Sequence, residues 1–175
     1  RLLYTEVIVN EGTSHKGYVV INDDKIAGVG EGDAPAELIA SVDNAEDLEG
    51  NYLMPGVIDD QVHFRDPGLT HKADIATESA AAVAGGVTSF MDMPNTIPQT
   101  TTLEALEAKH QRAGEVSLAN YSFFIGATND NIDTLLSCDY SLIPGVKLFL
   151  GASTGNMLVD NNTALQRIFS EVPAL

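Results

Sequence analysis

The chain has 175 residues, of which 9 are Lys or Arg and 25 are Asp or Glu, so its formal net charge is −16. Hydrophobic residues make up 44% of the sequence and charged residues 19%, which supplies enough apolar material for a folded core and argues against intrinsic disorder. The nine basic residues are mostly scattered, which excludes the clustered positive charge that nucleic acids and anionic membranes require of a partner.

Cysteine content and the N-terminal residues bear on cellular location. Cys138 is the single cysteine and cannot form an internal disulfide, and the residues from Arg1 to Glu6 have no apolar stretch of the kind a signal peptide needs. The longest weakly polar stretch, Ser79 to Phe90, is far shorter than the roughly 20 apolar residues that span a bilayer. We therefore expect a cytoplasmic protein with no membrane segment and no nucleic-acid partner.

Short β-branched runs broken by turn residues occupy the sequence up to about Met54, a pattern typical of a small antiparallel sheet. Asn22-Asp23-Asp24 has the composition of a tight hairpin turn between the second and third runs. The acidic stretch from Glu31 to Asp47 predicts a loop, and Leu48 to Met54 predicts a returning strand. Residues 1–54 are therefore predicted to form part of a small β-sandwich domain. Its first three strands are predicted at Glu6 to Val9, Gly17 to Ile21 and Lys25 to Gly30.

From Pro55 onward strands alternate with helix-length segments, which predicts parallel βα units in an α/β fold. Thr102 begins one helix as an N-cap residue without completing a capping box. Residues 55–175 hold four such units and are predicted to form the first half of a (β/α)8 barrel, which takes about 250 residues when closed. A doubly wound sheet is the lesser alternative, because it leaves the β domain and the strand-end chemistry unexplained. The predicted strands are Val57 to Val62, Val87 to Met91, Ser117 to Ile125 and Val146 to Leu150, with another beginning at Pro173; the predicted helices are Ile75 to Ala84, Thr102 to Ala113, Asn129 to Cys138 and Asn162 to Glu171.

The densest group of polar residues follows the first barrel strand, where Gln61, His63 and Arg65 alternate with other residues. Side chains alternate with period two along a strand, so these three are predicted to share one face at the carboxyl end, where barrel enzymes place their catalytic groups. On these residues alone the structural interpretation is favoured, with His63 as a polar strand-end residue and Arg65 paired with Asp66 or another local acid.

Two further candidates follow later strands. Asn95, in Met93-Pro94-Asn95-Thr96, places an amide at the next strand end, although Asn-Thr after Pro is also ordinary turn chemistry. Lys147 lies in an apolar strand, where its ammonium would be heavily desolvated and would need a partner or lose its proton. A neutral amine there could react with carbon dioxide to give a carbamate that bridges metals. In the structural alternative, Lys147 lies on the solvent side of an edge strand or is paired with a buried acid. The Gly-, Ser- and Thr-rich run 151–156 could form a ligand loop or only a flexible turn.

Taken together, these segments resemble the dihydroorotases of the cyclic amidohydrolase superfamily, with Arg65 and Asn95 as the specific part. The resemblance implies that His63 is a zinc ligand at the substrate site and that Arg65 and Asn95 bind the substrate carboxylate. It also implies that Lys147 is carbamylated, acts in catalysis and bridges a metal pair, with one or two zinc ions per chain. The matching segments are Pro55 to Asp59, His63 to Gly68, Ala84 to Thr88, Met93 to Thr96 and Gly145 to Lys147.

The reaction implied by the resemblance is reversible hydrolysis of the cyclic amide of dihydroorotate to N-carbamoyl-aspartate, in pyrimidine biosynthesis. The partners would then be small molecules, with a homo-oligomer as a further possibility. In that family the remaining metal histidines and the general-base aspartate lie on later strands. We therefore expect a zinc-dependent enzyme as the full-length chain and no activity from residues 1–175 alone.

Gln61 departs from the pattern of the family, which has a second histidine ligand at this position. An amide oxygen binds zinc far more weakly than an imidazole does, so one metal site is expected to be weak, altered or absent. Three alternatives stay open. The first is another cyclic amidohydrolase of the allantoinase or hydantoinase type, a group that lacks the two residues that bind the substrate carboxylate. The second is a catalytically inactive dihydroorotase-like subunit, which Gln61 motivates, and the third is an α/β domain whose His63, Arg65 and Lys147 are structural.

Overall fold

The computed structural model describes residues 1–151 and 157–173 of the chain. Two compact units are present, Arg1–Pro55 and Gly56–Leu175. The run predicted as a ligand loop lies outside the described residues, except for Gly151. The strand predicted to begin at Pro173 also lies outside them, except for Pro173 itself. Within the described ranges no helix combines the length and the apolar composition that a membrane crossing requires.

The first unit is built on a mixed sheet in the order β3-β2-β1-β4, with β5 also pairing with β1. The three long strands are antiparallel, and the hairpin predicted at Asn22-Asp23-Asp24 is confirmed, because Asn22 pairs with Lys25 and Asp23 has φ 53°. The elements are β1 (Leu2–Asn10), β2 (Thr13–Asn22), β3 (Lys25–Glu31), α1 (Ala36–Ser41), β4 (Ala45–Asp47) and β5 (Tyr52–Leu53).

The acidic stretch between β3 and β5 corrects the prediction of a continuous loop. It contains α1 and β4, and β4 runs parallel to β1. The returning strand predicted at 48–54 is reduced to the two residues of β5, which also pair parallel to β1. The physical reason is that β2 covers only one edge of β1, and the backbone groups on the other edge bond to these later segments, as in the 2.8 Å hydrogen bond from Leu2 N to the carbonyl of Asn44.

The second unit alternates strands and helices, and every described strand pair in it is parallel. Strands β6, β7 and β8 form one sheet in that order, and β9 pairs with β10. This is the predicted α/β fold, the N-terminal part of a (β/α)8 barrel preceded by a β unit. The elements are β6 (Val57–Val62), α2 (Ile75–Ala84), β7 (Val87–Asp92), α3 (Leu103–Val116), β8 (Asn120–Phe123), β9 (Ile125–Gly126), α4 (Ile132–Leu136), β10 (Val146–Lys147) and α5 (Asn162–Glu171).

Some element boundaries follow local chemistry and others do not. Thr102 caps α3 as predicted, its hydroxyl accepting a 3.2 Å hydrogen bond from Ala105 N. The helix predicted from Asn129 begins only at Ile132, because the side chain of Asn131 bonds to loop backbone groups instead, accepting from Thr128 N and donating to the carbonyl of Gly126. The strand predicted over 117–125 is divided between β8 and β9, and the one predicted over 146–150 is only the two residues of β10.

The core of the second unit lies between the helices and strands β7 and β8. Phe64 and Phe90 pack with ring centroids 4.5 Å apart, and Phe123 and Ile75 are fully buried beside them. Strand β6 differs, since Val57 is 51% exposed and Ile58 61% exposed. Among the described strands β6 pairs only with β7, so its other edge and both faces are open to solvent.

Candidate functional site

Two loops meet at the carboxyl ends of β6 and β7, and they are called here the His63 loop (residues 63–68) and the Asn95 loop (residues 93–98). Ile97 N donates a 3.1 Å hydrogen bond to the carbonyl of Pro67, which joins the loops directly. Gly68 has φ +81°, and a Cβ at this position would overlap the carbonyl oxygen of Ile97. Glycine is therefore required for the two loops to approach this closely.

His63 and Asn95 form the central contact between the two loops. Nδ1 of His63 lies 2.9 Å from Oδ1 of Asn95. A side-chain amide oxygen only accepts hydrogen bonds, so Nδ1 carries the proton in this contact, and in the neutral imidazole the lone pair of Nε2 stays available. The imidazole is solvent-exposed, so Nε2 can reach a ligand. Metal-binding histidines commonly have such a partner on the second nitrogen, which fixes the tautomer and the ring orientation.

Arg65 has a backbone conformation that the sequence did not predict. Strand β6 ends at Val62, and Arg65 has a left-handed φ of 65°, so the prediction that residues 61, 63 and 65 share one strand face is wrong. Its guanidinium forms no hydrogen bond or ion pair with any residue that the structure describes. The neighbouring acid, Asp66, is buried and is bound instead by Nε of Arg112 at 3.3 Å. Within the described part of the chain, the guanidinium of Arg65 is therefore available to bind an anionic ligand.

Lys147 is partly buried, neither fully exposed nor fully enclosed by the described residues. Its Nζ lies 5.1 Å from the centroid of the Phe149 ring, and no hydrogen bond or ion pair joins it to His63, Arg65 or Asn95 within the described residues. It lies on β10, which has two residues and pairs only with β9 among the described strands. Carbamylation of Lys147 stays a prediction.

The buried lysine of this region is Lys109 on α3, which sequence reasoning missed. Its Nζ lies 2.6 Å from Oδ2 of Asp92 and donates a 3.0 Å hydrogen bond to the carbonyl of Met93, and both side chains of the ion pair are fully buried. Burial lowers the pKa of Lys109, and the charge of Asp92 opposes that shift. The spacing of Leu106, Lys109 and Ala113 on one helix stripe is the sequence signal that could have identified it.

A polar cavity of about 520 Å³ lies beyond the strand ends, and none of the sequence-predicted site residues lines it. Its walls come from the segment between β7 and α3, from the residues after β9, and from the segment before α5. Thr101 and Asn129 are typical of its hydroxyl and amide lining, and Asp130 and Asp160 add carboxylates. Sequence reasoning missed this cavity because its walls are separated by up to about sixty positions in the chain.

A zinc centre is not complete in the described part of the chain. Residues 1–151 and 157–173 contain no group of three or more His, Cys, Asp or Glu side chains placed to hold a metal ion. His63 offers one imidazole nitrogen, and Gln61 offers only an amide, a weak ligand for zinc. The described residues alone therefore do not fit a zinc site.

Residues 50–138 match the model of a protein family described as dihydro-orotase-like. The chain belongs to the dihydro-orotase-like family. This places it among the cyclic amidohydrolases and confirms the resemblance identified in the sequence. The matched residues include His63, Arg65 and Asn95 but end before Lys147.

Individual relatives of this dihydro-orotase-like chain have different names. It is 40% identical over 129 residues to a dihydroorotase from Halobacterium salinarum, covering 71% of the chain and 30% of the relative. It is 37% identical over 150 residues to an allantoinase from Streptomyces avermitilis, covering 85% of the chain and 33% of the relative. The chain spans about a third of the length of these curated relatives.

A solved structure gives the same family-level result. The L-hydantoinase (dihydropyrimidinase) from Arthrobacter aurescens superposes on 97% of the chain with a TM-score of 0.80 and 26% sequence identity, and the chain covers 37% of that structure. Dihydroorotase, allantoinase and hydantoinase are thus all similar to the chain. The comparisons support the cyclic amidohydrolase family of hydrolases and leave the ring that is hydrolysed to be tested.

Proposed function

We propose that this chain is part of a dihydroorotase that reversibly hydrolyses the cyclic amide of dihydroorotate to N-carbamoyl-aspartate, in pyrimidine biosynthesis. The observation that carries the proposal is the guanidinium of Arg65, which has no partner among the described residues and lies in the loop that also carries His63, the residue bonded to Asn95. Dihydroorotate and its product carry a carboxylate, for which the planar fork of a guanidinium is the best-matched side chain.

Asn95 contributes to the same recognition in this proposal. Its Oδ1 accepts from Nδ1 of His63, so its amide NH2 group is left to donate to a second oxygen of the substrate carboxylate. Arg65 and Asn95 would orient the ring, and Nε2 of His63 would face its reacting side. Held this way, the substrate enters the reaction in a fixed geometry, which lowers the entropic part of the barrier.

Cofactor, location and partners are further parts of the proposal. We propose one or two zinc ions per full-length chain, with His63 as one ligand and a carbamylated Lys147 as another, completed by residues beyond those described. The full-length protein would be cytoplasmic, bind small molecules rather than nucleic acid or membranes, and form a homo-oligomer. Residues 1–175 alone are expected to be inactive, because their described part offers no complete set of metal ligands.

Two other functions also have observations in their favour. The allantoinase from Streptomyces avermitilis is 37% identical over 150 residues and the hydantoinase structure superposes on 97% of the chain, which makes a ring without a carboxylate the second candidate. Gln61 favours an inactive dihydroorotase-like subunit, since it cannot replace an imidazole ligand well.

Turnover of three rings by the full-length protein tests the proposal, with dihydroorotate, allantoin and hydantoin as substrates. We expect dihydroorotate to be preferred and Arg65→Met to raise its KM by roughly 10- to 100-fold, the loss expected for a charge-assisted pair. Arg167→Met is the matched control, because it also removes a guanidinium but from a pair with Glu171 on the surface of α5.

Each alternative has its own result in this assay. Preference for allantoin or hydantoin, with no effect of Arg65→Met, would identify the other amidohydrolase activity. No turnover of any ring, together with no bound metal and an unmodified Lys147 by intact mass, would identify the inactive subunit. About two zinc ions and a mass increase corresponding to one carbamate at Lys147 would support the binuclear hydrolase despite Gln61.

A further inference from the structure

Helix α3 binds both loops of the candidate site through two basic side chains on one of its faces. Lys109 reaches the end of β7 and the Asn95 loop, through Asp92 and the carbonyl of Met93. Arg112, one turn further along, reaches Asp66 in the His63 loop, and Asp66 in turn lies 3.4 Å from the first backbone N–H of α2, that of Ile75. The loops that carry His63 and Asn95 are therefore held from behind by the same helix.

The pair formed by Lys109 and Asp92 connects the two loops to each other. While Oδ2 of Asp92 binds Lys109 at 2.6 Å, its Oδ1 accepts a 3.0 Å hydrogen bond from the backbone N–H of Phe64, the residue between His63 and Arg65. Lys109 also donates to Met93, two residues before Asn95. One buried ion pair thus bonds the backbone beside His63 and the backbone beside Asn95.

Stability alone gives a weak reason for this arrangement. Two buried charges lose their hydration, and replacing such a pair by apolar side chains of similar volume is often neutral or stabilising. Apolar side chains, however, could neither donate to the carbonyl of Met93 nor accept from the N–H of Phe64. What the ion pair adds is a fixed direction for both backbone segments.

We propose that Lys109 and Asp92 are positioning residues that hold His63 and Asn95 in their hydrogen-bonded arrangement. Neither side chain is exposed, so neither can touch a substrate, and both act through the backbone of the two loops. The inference rests on the proposed function only in taking His63 and Asn95 as parts of the working site.

The test compares the full-length protein with three variants, and a fourth variant, His63→Gln, serves only to assign the histidine signals. Lys109→Met removes the ammonium, keeps most of the stem, and leaves Asp92 buried without its partner, so it is expected to be strongly destabilised. Lys109→Met combined with Asp92→Asn removes both charges and keeps an oxygen for Phe64 N, so its denaturant midpoint is expected to return close to that of the parent. Arg167→Met removes an exposed cation from α5 and serves as the matched control.

Two measurements report on the site itself. The ¹⁵N shifts of the histidine side chains, with His63 assigned through its loss in His63→Gln, show which ring nitrogen carries the proton. We expect Nδ1–H in the parent and in Arg167→Met, and a mixture of tautomers in the neutral double variant. The kcat of the double variant is expected to fall by roughly 10- to 100-fold, because a group displaced by about 1 Å in an active site costs about that much in rate. Its KM is expected to change less.

The outcomes separate positioning from stability and from the proposed function. A double variant that regains both stability and the parent's tautomer and kcat would overturn the proposal, as would a parent protein without Nδ1–H at His63. A double variant that regains stability but not the tautomer supports it. Failure of the parent to hydrolyse any of the three rings would count against the proposed function, while the tautomer comparison would still decide whether Lys109 and Asp92 position His63.

Discussion

The His63 loop contains two left-handed backbone conformations within six residues, at Arg65 and Gly68. For a residue with a side chain this conformation costs about 1–2 kcal/mol, so Arg65 must be held in place by its surroundings. The hydrogen bond from Phe64 N to Asp92 holds the loop before that residue, and the ion pair of the buried Asp66 with Arg112 holds it after that residue. The strain is located at Arg65, whose guanidinium has no partner among the described residues.

Gly68→Ala tests how closely the two loops must approach. A Cβ at this position meets the carbonyl of Ile97 and also requires an unfavourable positive φ. We expect the variant to lose about 1–3 kcal/mol of unfolding free energy in denaturant titrations and to lose the Nδ1–H tautomer of His63.

Gly86→Ala is the matched control for that variant. Gly86 has φ +88° but no atom within 4 Å of an added Cβ, so only the backbone strain is introduced. Equal losses of stability in the two variants, with the His63 tautomer unchanged, would show that contact between the loops is unimportant.

At the scale of elements, α3 connects the site to the sheet. Thr102 caps its first turn, Lys109 and Arg112 bind the loops, and His110 packs edge-on against Phe123 of β8 with ring centroids 4.9 Å apart. Nε2 of His110 is buried and has no hydrogen-bond partner among the described residues. Helix α3 therefore combines a polar face towards the loops with an aromatic contact towards the core.

The contact of His110 predicts a pH dependence of stability. Burial lowers the pKa of His110 below its ordinary value, the nearby charge of Glu107 opposes the shift, and that of Lys109 adds to it. The unfolded chain then binds the proton more readily than the folded one, so stability is complete above about pH 6.5 and falls as the solution becomes more acidic, levelling off below the folded-state pKa.

Unfolding free energies at pH 7 and pH 5 measure this contribution. We expect the drop between the two values to be smaller in His110→Gln than in the parent. His71→Gln is the control. Because His71 lies on the exposed surface, this substitution is expected to leave the drop in unfolding free energy unchanged. An equal drop in the parent and in His110→Gln would contradict this account of the helix.

For the whole molecule, the main features are the open strand β6 and the strong negative charge. Val57 and Ile58 are more than half exposed on a strand that has one described neighbour, an arrangement that favours association. The net charge of −16 opposes association at low ionic strength through mutual repulsion. The two effects respond differently to salt, because only the repulsion is screened.

Light scattering of the chain of residues 1–175 as a function of salt tests this balance. We expect association to increase between about 10 mM and 1 M sodium chloride, over which the screening length falls from about 30 Å to 3 Å. Ile58→Lys is expected to reduce association, whereas Leu118→Lys, a matched change at an exposed leucine outside the strands, is not. A similar reduction by both variants would locate the contact elsewhere.

Local patterns in the sequence predicted much of this protein, because they depend on groups only a few residues apart. The hairpin at Asp23, the cap at Thr102 and the limits of α2 and α5 follow from turn, capping and helix-forming residues in the immediate neighbourhood. The candidate residues His63, Arg65 and Asn95 were identified from their places after predicted strands and from a family resemblance, which the comparisons confirmed at the family level.

Other features depended on contacts between distant segments. Lys109 is fully buried although no local pattern singled it out, and Lys147 is only partly buried, because burial depends on which segments pack over a side chain. The left-handed Arg65 and the bond between His63 and Asn95 likewise require the two loops to be held together. The chain's chemistry could be proposed from its order of residues, whereas its geometry arose from long-range packing and hydrogen bonding, which no short stretch of sequence encodes.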